Sequence, residues 1–163
     1  MTVNWTNSSG GPFICGDELV LKHWLGHTEN ATSHYSQACD ITGYTGTIEF
    51  NGMKILVLND EPLQTALINR QTAFPLLVRW VYSSDNLATD QILDLPRNLD
   101  TSEVAHVSSI TGEMACFDSA FSLKEANQYI VRFSLPVGKY LVETYIHKSQ
   151  SYSFLFHEFK PVT

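Results

Sequence analysis

The fold of this chain is decided by residues 45–62, TGTIEFNGMKILVLNDEP. Two β-prone segments flank Asn51-Gly52, a pair that tolerates the positive φ angles of a two-residue hairpin turn. The stretch therefore predicts a β-hairpin. Its second arm is almost continuously apolar, which is typical of a strand buried on both faces. Asp60 and Glu61 follow this arm, just before a proline that cannot continue the strand, so we expect a carboxylate pair at the rim of a sheet.

The rest of the chain also predicts mostly strands, separated by turn residues. The β-prone segments are residues 76–82, 103–107, 113–117, 128–135, 139–147 and 151–159. We expect 76–82 to lie beside the second arm of the hairpin, and 103–107 with 113–117 to form another hairpin. Residues 85–95 open with a capping signal and predict one short helix. This spacing predicts a mainly β fold in a single domain over residues 1–163. The expected architecture is an antiparallel β-sandwich or an open barrel with one or two short helices.

An arginine interrupts the apolar strand at 76–82. Strict alternation places Trp80 and Tyr82 together on one face and Arg79 on the other. An unpaired buried charge is strongly destabilising, so Arg79 is expected to pair with an acid. Asp60 and Glu61 are the candidates.

The chain is acidic, with a formal net charge of −7. Residues 1–118 contain fourteen Asp and Glu against five Lys and Arg, so the acidity belongs to the first three quarters of the sequence. A negative field repels nucleic acids and membrane surfaces and accelerates encounter with basic partners. We therefore expect neither nucleic acid nor membrane as a partner.

The sequence also predicts a cytoplasmic location. It contains no apolar run long enough to span a bilayer, and its N-terminus lacks the basic start and apolar core of a signal peptide. Cys15, Cys39 and Cys116 are odd in number and far apart in sequence, which favours reduced thiols over a disulfide framework.

Histidines offer the first possible site for metal chemistry. His23 and His27 are four residues apart and His34 lies seven residues further on, so a hydrolase with His23, His27 and a nearby acid binding a metal is one alternative. However, a zinc site needs three or four ligands with a preorganised second shell, and Gly26 disfavours a helix here. We therefore expect surface or packed histidines and no metal site.

No other catalytic pattern is found. The chain has no nucleophile elbow, no phosphate-binding glycine loop, and no dinucleotide-binding or EF-hand motif. The neighbouring acids at 60 and 61 point to opposite faces if they lie on an extended strand, which does not suit paired acid and base catalysis. The residues predict no catalytic centre and no cofactor, so we expect a protein that is not an enzyme.

Several segments occur in the same order as in bacterial immunity proteins of polymorphic toxin systems. They are Trp5, SSGGP at 8–12, YSQAC at 35–39, YTG at 44–46, LVLNDEPLQT at 56–65 and LVRWVY at 77–82. Together they resemble the family catalogued as immunity protein twenty-one. The chain departs from the family pattern at Asn59, where glycine is expected, and at His34, where an acid is expected.

The resemblance implies an immunity protein that neutralises a cognate bacterial toxin by stoichiometric binding. The acidic surface suits a basic, nuclease-like toxin, because opposite charges accelerate association. We expect the contacts to come from acids and aromatic residues on one sheet face or rim: Asp60, Glu61, Tyr44, Trp24, Trp80 and Tyr82. The alternative is a small-molecule or carbohydrate-binding β-sandwich whose aromatic side chains line a concave face.

Overall fold

The computed structural model describes residues 3–30, 32–59, 64–72 and 74–163, without the side chains of 98–102. Within these residues the chain forms ten strands and four short helices. The strands are β1 (Phe13–Asp17), β2 (Thr45–Phe50), β3 (Met53–Leu58), β4 (Gln64–Ile68), β5 (Leu76–Ser83), β6 (Asn98–Ser109), β7 (Glu113–Asp118), β8 (Val131–Ser134), β9 (Gly138–Lys148) and β10 (Tyr152–Pro161). The helices are α1 (Glu18–Leu21), α2 (His34–Cys39), α3 (Thr89–Leu93) and α4 (Leu123–Ala126).

The strands form two antiparallel sheets that pack face to face. In the described residues the first sheet has the order β2-β3-β1-β7-β8 and the second the order β4-β5-β10-β9-β6. Apolar side chains from both sheets fill the space between them, among them Phe13, Leu56, Leu77, Val142 and Phe159. This confirms the predicted mainly β class and selects the sandwich, because the sheets do not close into a barrel.

Different layers cover the two outer faces. Helices α1, α2 and α4 cover the outer face of the first sheet, around the buried side chains of Ile14, Val57 and Trp24. The outer face of the second sheet is covered by α3 and by the N-terminal residues Val3 and Trp5. Among the described residues, no helix combines the length and the apolar character needed to cross a membrane.

The predicted central hairpin is confirmed. Asn51 and Gly52 have φ angles of 49° and 75° between β2 and β3, as a turn with two positive φ angles requires. Residues 55–58 of β3 are buried on both faces, because β3 lies between β2 and β1 and is covered by the second sheet and by the helices.

Two predicted strand pairings are wrong. Strand β5 pairs with β4 and β10 in the second sheet, and β1 takes the expected place beside β3. Strands β6 and β7 do not form a hairpin, because β6 belongs to the second sheet and β7 to the first. An apolar pattern shows that a strand is buried but does not identify its neighbour, so both errors come from assuming that nearby segments pair.

A buried carboxylate holds the crossover between β6 and β7. Asp17 accepts hydrogen bonds from the backbone N–H groups of Ile110 and Thr111, both at 2.7 Å, and from Leu19 at 3.0 Å. Burial raises the pKa of Asp17, but the hydrogen bonds from these groups outweigh that effect and hold its pKa below the ordinary value. The end of β1 is thereby tied to the point where the chain changes sheets.

The predicted helix at 85–95 is shorter than expected. It begins at Thr89 and ends at Leu93. The Ser-Ser-Asp opening forms a local turn instead, in which the N–H of Asp85 donates to Ser83 Oγ at 3.3 Å. Serine side chains often satisfy the backbone in this way and so compete with helix formation.

Trp24 offers a test of the helical layer. Its side chain is fully buried and its Nε1–H donates to the carbonyl of Ser119 at 2.8 Å, whereas the adjacent Leu25 is 61% exposed. We expect Trp24→Ala to lower the free energy of unfolding by about 3–5 kcal/mol and Leu25→Ala to change it by about 0.5 kcal/mol or less. Denaturant unfolding of both variants checks this, and equal midpoints would contradict the assigned packing.

Candidate functional site

A row of polar side chains crosses the interior between the two sheets. Arg79 is fully buried in β5, where its Nε donates to Thr65 Oγ1 at 3.2 Å and its Nη1 donates to the carbonyl of Asn59 at 2.6 Å. The guanidinium also lies over the ring of Phe13, 5.6 Å from its centroid. Asp60 and Glu61, the expected acidic partners, lie outside the described residues, so that ion pair stays a prediction.

The same row contains a buried histidine. His157 Nδ1 lies 2.8 Å from Thr144 Oγ1 and the ring is fully buried. Burial, and then the positive charge of Arg79, lower the pKa of His157 from 6.5 to about 3, so the imidazole is neutral near pH 7. Neither His157 nor Arg79 has any exposed surface, so a substrate has no access to them and the row serves the packing of the sandwich.

The depressed pKa of His157 predicts a loss of stability in mild acid. The unfolded chain takes up a proton on this residue below about pH 6.5, whereas the folded chain does so only near pH 3. The contribution of His157 to the unfolding free energy is therefore complete above pH 6.5. It is lost as the pH falls towards 3, by about 1.4 kcal/mol for each pH unit. We expect His157→Gln to flatten the decline in unfolding free energy between about pH 6 and 4.

The exposed His23 gives the matched control, because His23→Gln removes an imidazole without touching the interior. Its curve should follow that of the unsubstituted protein. Parallel curves for His157→Gln and the unsubstituted protein would mean that the histidine is not buried in its neutral form.

The three histidines that were considered as metal ligands lie in three different environments. Within the part of the chain that the structure describes, no group of three or more His, Cys, Asp or Glu side chains could hold a metal ion. His23 is exposed, and His27 packs its ring against Tyr35. His34 accepts the backbone N–H of Leu25 on Nδ1 at 2.9 Å, and burial lowers its pKa. His34 therefore ties α2 to the loop after α1.

The aromatic residues proposed for partner binding have unequal access to solvent. Trp24 is fully buried beneath the helical layer and is therefore not available to a partner. Tyr44 is half-buried and packs against Ile146 and Leu155. Tyr82 is 43% exposed and its hydroxyl donates to the carbonyl of Ser149. Asp60 and Glu61 lie outside the described residues.

The expectation that Trp80 and Tyr82 share a face is wrong. Trp80 pairs with Phe154, but Tyr82 pairs with Ser153, so one residue of β5 is left over in a bulge. Residues paired across two strands share a face, and Ser153 faces opposite to its neighbour Phe154. The bulge therefore turns Tyr82 away from the face that carries Trp80. The alternation of residues in the sequence does not reveal such a bulge.

Trp80 lines a groove of about 540 Å³ on the outer face of the second sheet. Its lining residues come from the N-terminal segment, β5, the loop before α3, α3 itself and β10: Val3, Trp5, Trp80, Ser83, Asp85, Asn86, Leu87, Ala88, Ile92 and Phe154. We call this the Trp5–Trp80 groove. The ring centroids of Trp5 and Trp80 are 5.5 Å apart with an angle of 57° between the planes.

The N-terminal wall of the groove is fixed by backbone pairing. Thr6 forms an isolated bridge with Thr65 of β4, through reciprocal N–H to carbonyl bonds of 2.8 and 2.9 Å. This bridge places Trp5 beside Trp80 and stacks it on Phe154, at 6.1 Å between centroids. Trp5 was not among the predicted binding residues, although it is one of the residues that carry the family resemblance.

The segment from the end of β5 through α3 carries acids, of which Asp85 lines the groove. Asp85 lines the groove and is exposed, and Asp90 and Asp94 are exposed on and just after α3. Residues 83–95 contain these three acids and no lysine or arginine. The lining, as far as the structure describes it, also contains no cationic side chain. Asp85 and Leu87 were not predicted as site residues, because the stretch that holds them was interpreted only as a helix.

The family comparison covers nearly the whole of this architecture. The family model described as Immunity protein 21 matches residues 4–151. The chain belongs to the Immunity protein 21 family. The match confirms the resemblance and extends it well beyond residue 82. Trp5, Trp80 and Asp85 lie inside the region matched by the Immunity protein 21 model, whereas Phe154 follows it.

The other two comparisons give no further relatives of this Immunity protein 21 member. No curated protein and no solved structure matches the chain significantly.

Proposed function

We propose that this Immunity protein 21 member binds a cognate bacterial toxin and inactivates it in a stoichiometric complex, in the cytoplasm of the cell that makes it. Membership of the family, over residues 4–151, is the observation that carries the proposal. The toxin belongs to a polymorphic toxin system in this proposal, and the immunity protein acts by occupying its surface without catalysing a reaction.

The negative charge of the chain supports a basic partner. The formal net charge is −7, and the exposed acids of residues 83–95 lie beside an apolar groove. Opposite potentials steer two proteins together and speed association. A nuclease-like toxin, whose active surface must be positive to hold nucleic acid, fits this field.

The proposed contact surface centres on Trp80. Asp60 and Glu61 stay in the proposal as acidic contacts, with Tyr44 and Tyr82 at the periphery. Gln64, where the described chain resumes after these acids, pairs with Trp80. Trp24 is not part of the proposed surface, because it is buried.

A second candidate function is a small-molecule or carbohydrate-binding module. The Trp5–Trp80 groove is the observation that favours it, because indole rings with nearby polar groups are typical of such sites. The family match favours toxin binding, so carbohydrate binding is the second hypothesis.

Coexpression with the toxin encoded beside the gene tests the first function. We expect growth to be restored and the purified proteins to form a one-to-one complex by light scattering. Inhibition in a titration should saturate at one equivalent and release unchanged toxin on denaturation, because binding alone is proposed. Inactivation by far less than one equivalent, or chemically altered toxin, would assign an enzymatic activity instead.

The role of the carboxylate pair has its own test. We expect Asp60→Ala combined with Glu61→Ala to slow association with the toxin at low salt and to lose this effect at high salt, because screening removes charge steering. The matched control combines Glu49→Ala with Glu113→Ala, two exposed acids of the first sheet. Equal association rates for the two double variants would remove Asp60 and Glu61 from the contact surface.

A further inference from the structure

The Trp5–Trp80 groove combines three features that define the chemistry of its occupant. Two half-buried indoles form its aromatic wall, at 5.5 Å between centroids. Leu87 and Ile92 supply an aliphatic wall, and the exposed Asp85 supplies a carboxylate at the rim. The occupant must therefore offer a flat group to the indoles, a positive charge to the carboxylate and an apolar part to the aliphatic wall.

An arginine side chain meets these requirements better than the other side chains do. Its guanidinium is planar, always charged and weakly hydrated, so it stacks on indole rings and also donates paired hydrogen bonds to a carboxylate. Lysine has the charge but not the plane, and an aromatic residue has the plane but not the charge. The chain already makes such contacts internally, since the guanidinium of Arg97 lies 4.8 Å from the ring centroid of Phe156.

The shape of the groove supports the same occupant. The planes of Trp5 and Trp80 are inclined by 57°, so the two rings do not form one flat platform for a sugar ring, whereas the smaller guanidinium needs the face of a single indole. A volume of about 540 Å³ lies within the roughly 300–1,000 Å³ range of ligand pockets, which leaves room for an apolar neighbour of the arginine.

We propose that the Trp5–Trp80 groove takes an arginine side chain of the toxin, stacked on the indoles and paired with Asp85. This inference rests on the proposed function, because the toxin is the partner that supplies the arginine. An adjacent apolar residue of the same toxin segment packs against Leu87 and Ile92.

Binding of the full chain to the purified toxin gives the first test. Asp85→Asn keeps the shape of an exposed side chain, and we expect it to weaken binding about tenfold or more, because it removes the charge with which the guanidinium pairs. Asp85→Lys should weaken it further. Asp40→Lys is the matched control, because it makes the same charge change at an exposed residue that ends α2 on the other side of the sandwich. Equal losses for Asp85→Lys and Asp40→Lys would overturn the assignment of the groove.

Substitution on the toxin separates stacking from charge. Each exposed arginine of the toxin is replaced by lysine, which keeps the charge but removes the plane. One of these changes should lose affinity, and combined with Asp85→Asn it should lose less than the sum of the two. If no arginine couples to Asp85, or if lysine replaces every arginine without loss, the proposal is wrong.

A measurement without the toxin tests the arginine site independently of the proposed function. The chain has three tryptophans, so the indole N–H resonances of Trp5 and Trp80 can be followed by NMR with the buried Trp24 as the internal reference. Titration with acetyl-Gly-Arg-Leu-Gly-amide should shift both resonances, and the citrulline counterpart, which is planar but uncharged, should not. No shift with the arginine peptide, equal shifts with citrulline, or shifts only with an oligosaccharide would each overturn the inference.

The pattern of results identifies which proposal has failed. If Asp85→Lys leaves the dissociation constant for the toxin unchanged while neutralisation still requires one equivalent, the proposed function stands and the groove is removed. A groove that binds the arginine peptide in a protein that neutralises no toxin leaves the arginine site and removes the proposed function.

Discussion

Burial of β1 on both faces is the constraint on which the rest of the structure depends. Phe13 and Cys15 face the second sheet, whereas Ile14 between them faces the helical layer. A strand of this kind is stable only if both layers are present, because either face left in water would lose its hydrophobic contribution. Asp17 ends the strand and binds the turn between β6 and β7. Asp17 therefore fixes the position at which the chain passes from the second sheet to the first.

The polar row between the sheets adds specificity to this packing. Arg79, Thr65, His157 and Thr144 lie among apolar residues, and the Thr144 hydroxyl lies 3.4 Å from that of Thr45 in the first sheet. Buried polar groups need partners, so a different register of the two sheets would separate the hydroxyls of Thr45 and Thr144. At the β2 and β6 edges, Thr47 Oγ1 accepts the backbone N–H of His106 and the Glu103 carboxylate accepts that of Tyr44, and these bonds also join the sheets.

The two outer faces explain why function is proposed on one of them. Three helices cover the first sheet and bury Trp24 completely, so its indole is not available to a partner on that face. In the part of the chain that the structure describes, a five-residue helix and the N-terminal segment cover the second sheet beside Trp80. Incomplete cover leaves indole surface accessible next to a segment with three acids and no bases. Half-exposed aromatic side chains beside charge are typical of binding surfaces.

Residue type and order were enough to predict the features that depend on local chemistry and alternation. The Asn51-Gly52 turn, the buried strand after it, the mainly β class and the family all follow from residue type and order. The packed fold was needed to show which strands pair, since burial leaves the partner open and β1 lies beside β3 although the two are far apart in sequence. It also decided that Trp24 is buried while Trp5 and Trp80 line a groove, because the exposure of a tryptophan depends on which layers cover it. The bulge that separates Tyr82 from Trp80 arises from the register of β5 against β10, which neither strand specifies alone.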